Sequence, residues 1–297
     1  MSTFSEIEYQ TRSESEFNRL LEKPAFSWPT FLLFVFVVAN FCYATYSAVT
    51  GAMSILTAIA HNSLSAYIAY TIMHEAAHGL VCANKAVNDW VGRISLLAIS
   101  VMPFFSTYRT LHMTHHRYVN DPKNDPDFFC CVGPAWLLPF RWMVMDVAYV
   151  TFFLKECYRH RPRAEKVEFW LAVVFGLTLL TAVMVSGHLM TFVLIYVIPT
   201  RIALFFLVLT FDYLPHYPHD TLADDNKFRA TNNRVGMEWL ITPLLLGQNY
   251  HLTHHLYPSA PFYRYRKVWQ ARQQFHDANN PALVKFYKLK PMQDMNN

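Results

Sequence analysis

Charge is what this 297-residue chain has least of: only 15% of its residues are Asp, Glu, Lys or Arg, where soluble domains carry roughly 25%. Glycine is also scarce, 8 residues against 16 prolines, and neither a low-complexity run nor a solenoid-type repeat occurs. No pair among the five cysteines (Cys42, Cys82, Cys130, Cys131, Cys157) forms a CxxC, so a disulfide framework or a thiolate metal knuckle is not expected. The opening MSTFSEIEYQTRSESEF is polar and acidic and does not read as a cleaved signal peptide. What the chain has instead is apolar surface, 53% hydrophobic and 16% aromatic. Its net charge of +4 comes with basic residues flanking the apolar runs, which fits membrane orientation rather than nucleic-acid binding.

The apolar runs give the expected organisation: an all-α integral membrane protein. After a polar segment 1–27, read as cytoplasmic, a single membrane-embedded domain is expected over 28–297, with spans at 28–48, 52–73, 167–187 and 189–211. Each is near the ~20 residues a bilayer needs. Trp90 to Tyr108 is short and broken by Arg93 and Pro103, so it is expected at the interface. Gly133 to Leu154 contains Arg141 and Asp146 and is expected on the membrane surface. His61 reads as a hydrogen-bonded residue of the bundle. Arg201 lies inside the fourth run, and the expectation for it is an anchor reaching the interface.

The remaining histidines are clustered. Eight of the 14 fall in three boxes, HEAAH (His74, His78), HMTHH (His112, His115, His116) and HLTHH (His251, His254, His255). Offsets of three and four place imidazoles on one face of a helix. Converging neutral imidazoles suit a transition metal. One tetrahedral ion takes about four ligands, so eight imidazoles suggest two ions. His216, four residues after Asp212, is the ninth candidate, with His219 close by. Asp212 and Asn249 are expected to support ligands rather than to be ligands, and Gln248 is considered with them. The role of Glu75 is open. The acids of VNDPKNDPDFF lack EF-hand spacing and its closing Glu, so they read as turn formers. His276, in the polar stretch RQQFHDANN, is expected to face solvent.

A shared site requires all boxes on one side of the membrane, and four spans satisfy that parity. The two far-side turns contain no Lys or Arg, whereas the box side holds Lys155, Arg159, Arg161, Arg163 and Lys166. The positive-inside rule makes the box side cytoplasmic. HExxH alone is also a zinc-protease motif, with Glu75 as base. A membrane metalloprotease is therefore the rival from another class, together with a non-catalytic metal-binding membrane protein. The protease leaves both HxxHH boxes unexplained.

These motifs, with VNDPKNDPDFF, FDYLPH and LLLGQNYHLTHHLYPSAPFY, resemble the integral-membrane fatty acid desaturase/hydroxylase superfamily, nearest to the bacterial, cyanobacterial-type beta-carotene hydroxylases. The resemblance runs roughly from Ile72 to Tyr263. Its first box departs in having Glu75 after the first histidine, as acyl-lipid desaturases do. It implies a bacterial inner-membrane enzyme with two non-haem irons held by His74, His78, His112, His115, His116, His216, His251, His254 and His255. It further implies O₂, electrons from a ferredoxin or similar donor, and a lipidic substrate. The expected reaction is hydroxylation of a carotenoid β-ring, with acyl-lipid desaturation as the alternative.

Overall fold

The computed structural model describes residues 14–292; the start of the expected cytoplasmic segment, residues 1–13, lies outside them. Helices dominate. Among the described residues the only named strands are β1 (Asn233–Val235) and β2 (Leu283–Lys285), which pair in parallel. The chain forms two compact units, one of residues 25–213 and one of residues up to Pro24 together with those from Leu214 on. Beyond Tyr213 the sequence is polar enough to build its own small core, around Leu252, Tyr265, Val268, Trp269 and Val284.

In the larger unit α1 (Trp28–Val49) starts with a proline in its first turn, where a missing N–H costs nothing. Leu32, Val35 and Phe36 stay exposed on it, as on a helix apolar all round that faces lipid. Helix α2 (Ile55–Ala77) is capped by the Ser54 side chain, which accepts from the Thr57 N–H. Next come α3 (Lys85–Leu96), α4 (Phe105–Tyr118), a helix pair Ala135–Trp142 and Met145–His160 bent by 78°, α5 (Arg163–Val185) and α6 (Leu189–His216). By length and composition α1, α5 and α6 are able to cross a membrane, and the bent pair makes a fourth candidate if it acts as one span.

The expected span at 52–73 falls on α2, which at 23 residues is long enough but carries polar residues along its length. Its polar residues are used against neighbours: Oδ1 of Asn40 on α1 accepts from His61 Nδ1 at 2.8 Å, and the Asn40 amide nitrogen donates to Ser65 Oγ at 2.8 Å. The Asn62 amide donates to the Ile195 carbonyl at 2.6 Å. His61 is therefore a satisfied bundle residue. Residues 90–108 are divided between α3 and α4 with a break at 97–104.

Two expectations are corrected. Arg201 is no free anchor: its guanidinium is paired with Asp146 of the bent helix pair. The charge inside one apolar run is thereby answered by the charge inside another. His276 does not face solvent. It is fully buried in the smaller unit, stacked on Trp269 with ring centroids 4.1 Å apart and bonded to the Tyr257 hydroxyl at 2.9 Å. A polar neighbourhood in sequence says little about a side chain that a helix turns inward.

Candidate metal centre

The first two boxes come together in the larger unit. Helix α2 ends in the first box, with His74 in its last turn and His78 as the residue that closes it. The second box lies on α4. The ligand atoms of His74, His78, His112 and His116 all lie within 4.8 Å of one another. Nε2 of His112 is 2.8 Å from Nε2 of His78 and 3.2 Å from Nε2 of His116. Two nitrogens on one ion at about 2.1 Å are about 3.0 Å apart at a right angle and about 3.4 Å apart in a tetrahedron. The residues therefore fit a metal without rearrangement.

His115, three residues from His112, has acid partners of its own. Its Nδ1 is 2.9 Å from Asp125 Oδ1 and 3.3 Å from Asp127 Oδ2. Asp125 also accepts the backbone N–H groups of Asn120 and Asp127, and the Tyr149 hydroxyl donates to Asp127 at 2.7 Å. Burial works against a charge on His115, but the two carboxylates outweigh it and raise its pKa to about 10. Burial raises Asp127 to about 6, with His115 pulling the other way. An imidazole whose Nδ1 proton is held by a carboxylate presents Nε2 as an electron-rich donor. Of the acids read as turn formers, Asp121 does serve its turn, accepting from Lys123 and Asn124. Asp125 and Asp127 are instead the partners of a box histidine.

A polar brace fixes the two boxes against each other. The carbonyl of Ala76, midway between His74 and His78, accepts from the Asn88 amide at 2.8 Å and from Arg109 at 3.2 Å. Asp89 takes the other face of Arg109 and also Lys85. Arg109 is on α4, three residues before His112, so one guanidinium ties the box helices together.

In the smaller unit the third box forms a short helix, α7 (His251–Leu256). Gly247, just before it, has φ +80°, and a Cβ there would lie 2.7 Å from the Phe262 carbonyl oxygen, so only glycine fits. The ligand atoms of His216, His251 and His255 lie within 4.8 Å of one another. The Nε2 atoms of His251 and His255 are 3.0 Å apart, again the spacing of neighbouring ligands. His251 Nδ1 meets Gln248 Oε1 at 3.2 Å, and His254 Nδ1 meets the Tyr265 hydroxyl at 2.9 Å. Both rings are thereby oriented through Nδ1.

The model of one protein family, described as fatty acid desaturase, matches residues 47–286, which is most of the chain and includes all three boxes. The chain belongs to the fatty acid desaturase family. It is 27% identical to the dihydrorhizobitoxine desaturase of Bradyrhizobium elkanii over 236 residues, 69% of this chain and 63% of that protein. It is 28% identical to the beta-carotene ketolase of Paracoccus sp. (strain PC1) over 200 residues, 66% of this chain and 71% of that one. It is 24% identical to the sn-1 oleoyl-lipid 12-desaturase of Anabaena variabilis over 230 residues, 69% of this chain and 65% of that one. The match thus spans less than two thirds of the first and the third of these relatives.

In this desaturase-family chain a cavity lies beside the first two boxes. The larger unit encloses a narrow one of about 60 Å³, lined by Met73, Leu111, Met145, Leu204, Leu207 and the rings of Tyr70 and Tyr108. Tyr108 stacks on His112 with centroids 5.7 Å apart and planes 9° apart, and Tyr70 stacks on His74 at 6.3 Å. The apolar space therefore abuts the imidazole group through two aromatic rings. Asp212 also borders it.

Each expected site residue now has a place. Four box histidines gather in the larger unit, and His216 joins His251 and His255 in the smaller. His115 and His254 are held by partners of their own. His219 has its ring 6.3 Å from that of His216. Asn249 donates to the Arg234 carbonyl, and Gln248 meets His251. Glu75 is buried, its Oε1 3.9 Å from His74 Nδ1. Tyr265, Asp125, Asp127 and the Asp89–Arg109 brace were not singled out by sequence. Only the two acids ten and twelve residues after His115 left a trace there.

Proposed function

We propose that this chain is a membrane di-iron oxygenase that uses O₂ to oxidise a C–H bond of a lipidic substrate, in the first instance the β-ring of a carotenoid. The eight histidines of the boxes, with His216 as the ninth, would hold the irons. The observation that carries the reading is an all-imidazole donor set backed by an apolar cavity. Nitrogen donors without thiolate suit iron better than a structural zinc, and a dry wall suits a hydrocarbon. Similarity to a beta-carotene ketolase supports the carotenoid as substrate. The two desaturase relatives, and Glu75 in the first box, support acyl-lipid desaturation as the second reading.

When bound, the irons supply the O₂ activation that no side chain can perform. Hydroxylation consumes one O₂, two electrons and two protons per C–H bond and releases one water. Desaturation consumes the same and releases two waters. The protein's own contribution is placement. Asp125 and Asp127 keep the proton on His115 Nδ1, Gln248 and Tyr265 orient His251 and His254, and Tyr70 with Tyr108 closes the cavity against water. Electrons would come from a ferredoxin or similar donor on the cytoplasmic side of a bacterial inner membrane, where the basic residues favour the boxes.

Expression in a carotene-producing host tests both readings. Oxygenated carotenoids in the lipid extract are the expected result. Unchanged carotenoids with new acyl double bonds would move the function to the second reading. Purified protein holding a single zinc, with no iron taken up under reducing conditions, would overturn the di-iron assignment itself.

A further inference from the structure

Half of the basic–aromatic stretch in the tail sequence, FYRYRKVW, is core: Phe262, Tyr265, Val268 and Trp269 are buried. A second such stretch, KFYKLK at Lys285–Lys290, is the opposite. All six residues are exposed, with Tyr287 at 62% and Leu289 at 52% of full accessibility. Lysines and large apolar side chains alternate along it.

This stretch is no loose tail. It leaves β2 at Lys285, and the Phe286 N–H continues the pairing to the Val235 carbonyl at 2.9 Å. Arg234, itself buried, donates through one nitrogen to the carbonyls of Lys285, Phe286 and Lys288, the last at 2.6 Å. The Lys288 N–H closes the turn on the Lys285 carbonyl at 2.8 Å. A buried guanidinium thus holds the backbone while every side chain of the turn points out. The segment that follows β1 also exposes apolar side chains, with Trp239 exposed to 74% and Leu244 to 60%.

Rigid presentation of apolar side chains to water is unfavourable unless something covers them. Lysine interleaved with aromatic and aliphatic residues matches the boundary of a bilayer, where rings sit at headgroup depth and ammonium groups meet lipid phosphates. A chain with membrane-spanning helices is already at such a boundary. We propose that Lys285–Lys290 is a membrane-contact turn by which the smaller unit rests on anionic phospholipid. The inference stands apart from the choice of substrate, because it needs only that the chain be embedded in a bilayer.

The test uses the full chain in lipid nanodiscs, either of phosphatidylcholine alone or with phosphatidylglycerol added. Backbone hydrogen exchange over 285–290 is expected to slow by at least about fivefold with phosphatidylglycerol, the effect of one well-placed lysine near an anionic surface. The Lys285→Glu, Lys288→Glu, Lys290→Glu variant should lose that difference. These side chains lie outside the Arg234 web, but a second readout guards against misfolding: Tyr287→p-benzoylphenylalanine, irradiated in the nanodisc, should yield a phospholipid adduct. Equal exchange in both nanodiscs without a lipid adduct would overturn the proposal. So would protection that appears only when an acidic electron-transfer protein is added, since the turn would then be a protein-docking surface.

Discussion

The guanidinium of Arg201 forms two bonds to the carboxylate of Asp146, 2.9 Å and 2.6 Å long, and a third of 2.7 Å to the Met143 carbonyl. Two charged residues 55 positions apart, each the odd one out in an apolar run, cancel each other. Removing one leaves the other in surroundings that solvate it poorly.

Arg201→Leu is therefore expected to lower stability by about 2 kcal/mol, between the values for exposed and buried pairs, since both side chains remain about a third accessible. Arg201→Leu with Asp146→Leu should recover most of it. Thermal unfolding in detergent measures both. The identity of the product should not change in either variant, and a new product would mean that the pair contacts substrate.

The third box can be separated into ligand and support. His254→Ala should reduce product formation to background and lower iron content. Tyr265→Phe keeps the ring but removes the hydroxyl that orients His254 Nδ1, so activity should fall about 10- to 100-fold. A buried histidine such as His276 would make a poor control. His160, exposed in the larger unit, takes that place, and His160→Ala should keep nearly full activity in membranes normalised to inserted protein. Equal loss in His160→Ala would show that the assay reads folding, not the metal centre.

Asp125→Asn tests the acid pair beneath His115. An amide can hold the ring but does not favour positive charge on it, so iron affinity should drop about 10- to 100-fold. A titration with a competing chelator reads the affinity directly. Full iron retention with ordinary activity would leave Asp125 only its turn.

The Asp89 brace has a pH signature. Burial pushes the Asp89 carboxyl up, but the hydrogen bonds from Arg109, Lys85 and Asn88 win and hold it at about 2. Its folded pKa is thus below the unfolded value of about 3.9. The stabilisation is complete above the unfolded value and is lost as pH falls through the folded one. Asp89→Asn should lower the unfolding temperature at neutral pH. The gap to the parent protein should close as the pH is lowered from about 4 toward 2, and a pH-independent gap would show that the ion pair contributes nothing.

Much of this protein was legible in the sequence because membranes and metals both impose one-dimensional rules. A bilayer demands about twenty apolar residues in a row, and α1, α5 and α6 obey. A helix places residues three and four apart on one face, so HMTHH and HLTHH announce paired imidazoles before any fold is known. What sequence could not supply was everything that depends on partners distant along the chain. It could not show that α2, expected as an ordinary span, uses its polar residues against α1 and α6. Nor could it show that Arg201 meets Asp146, that Arg109 meets both Asp89 and Ala76, or that His276 turns in to stack on Trp269. A charge or an imidazole has the same letter whether it faces water or a counter-charge. Only tertiary packing decides which, because only packing fixes what lies within hydrogen-bond reach.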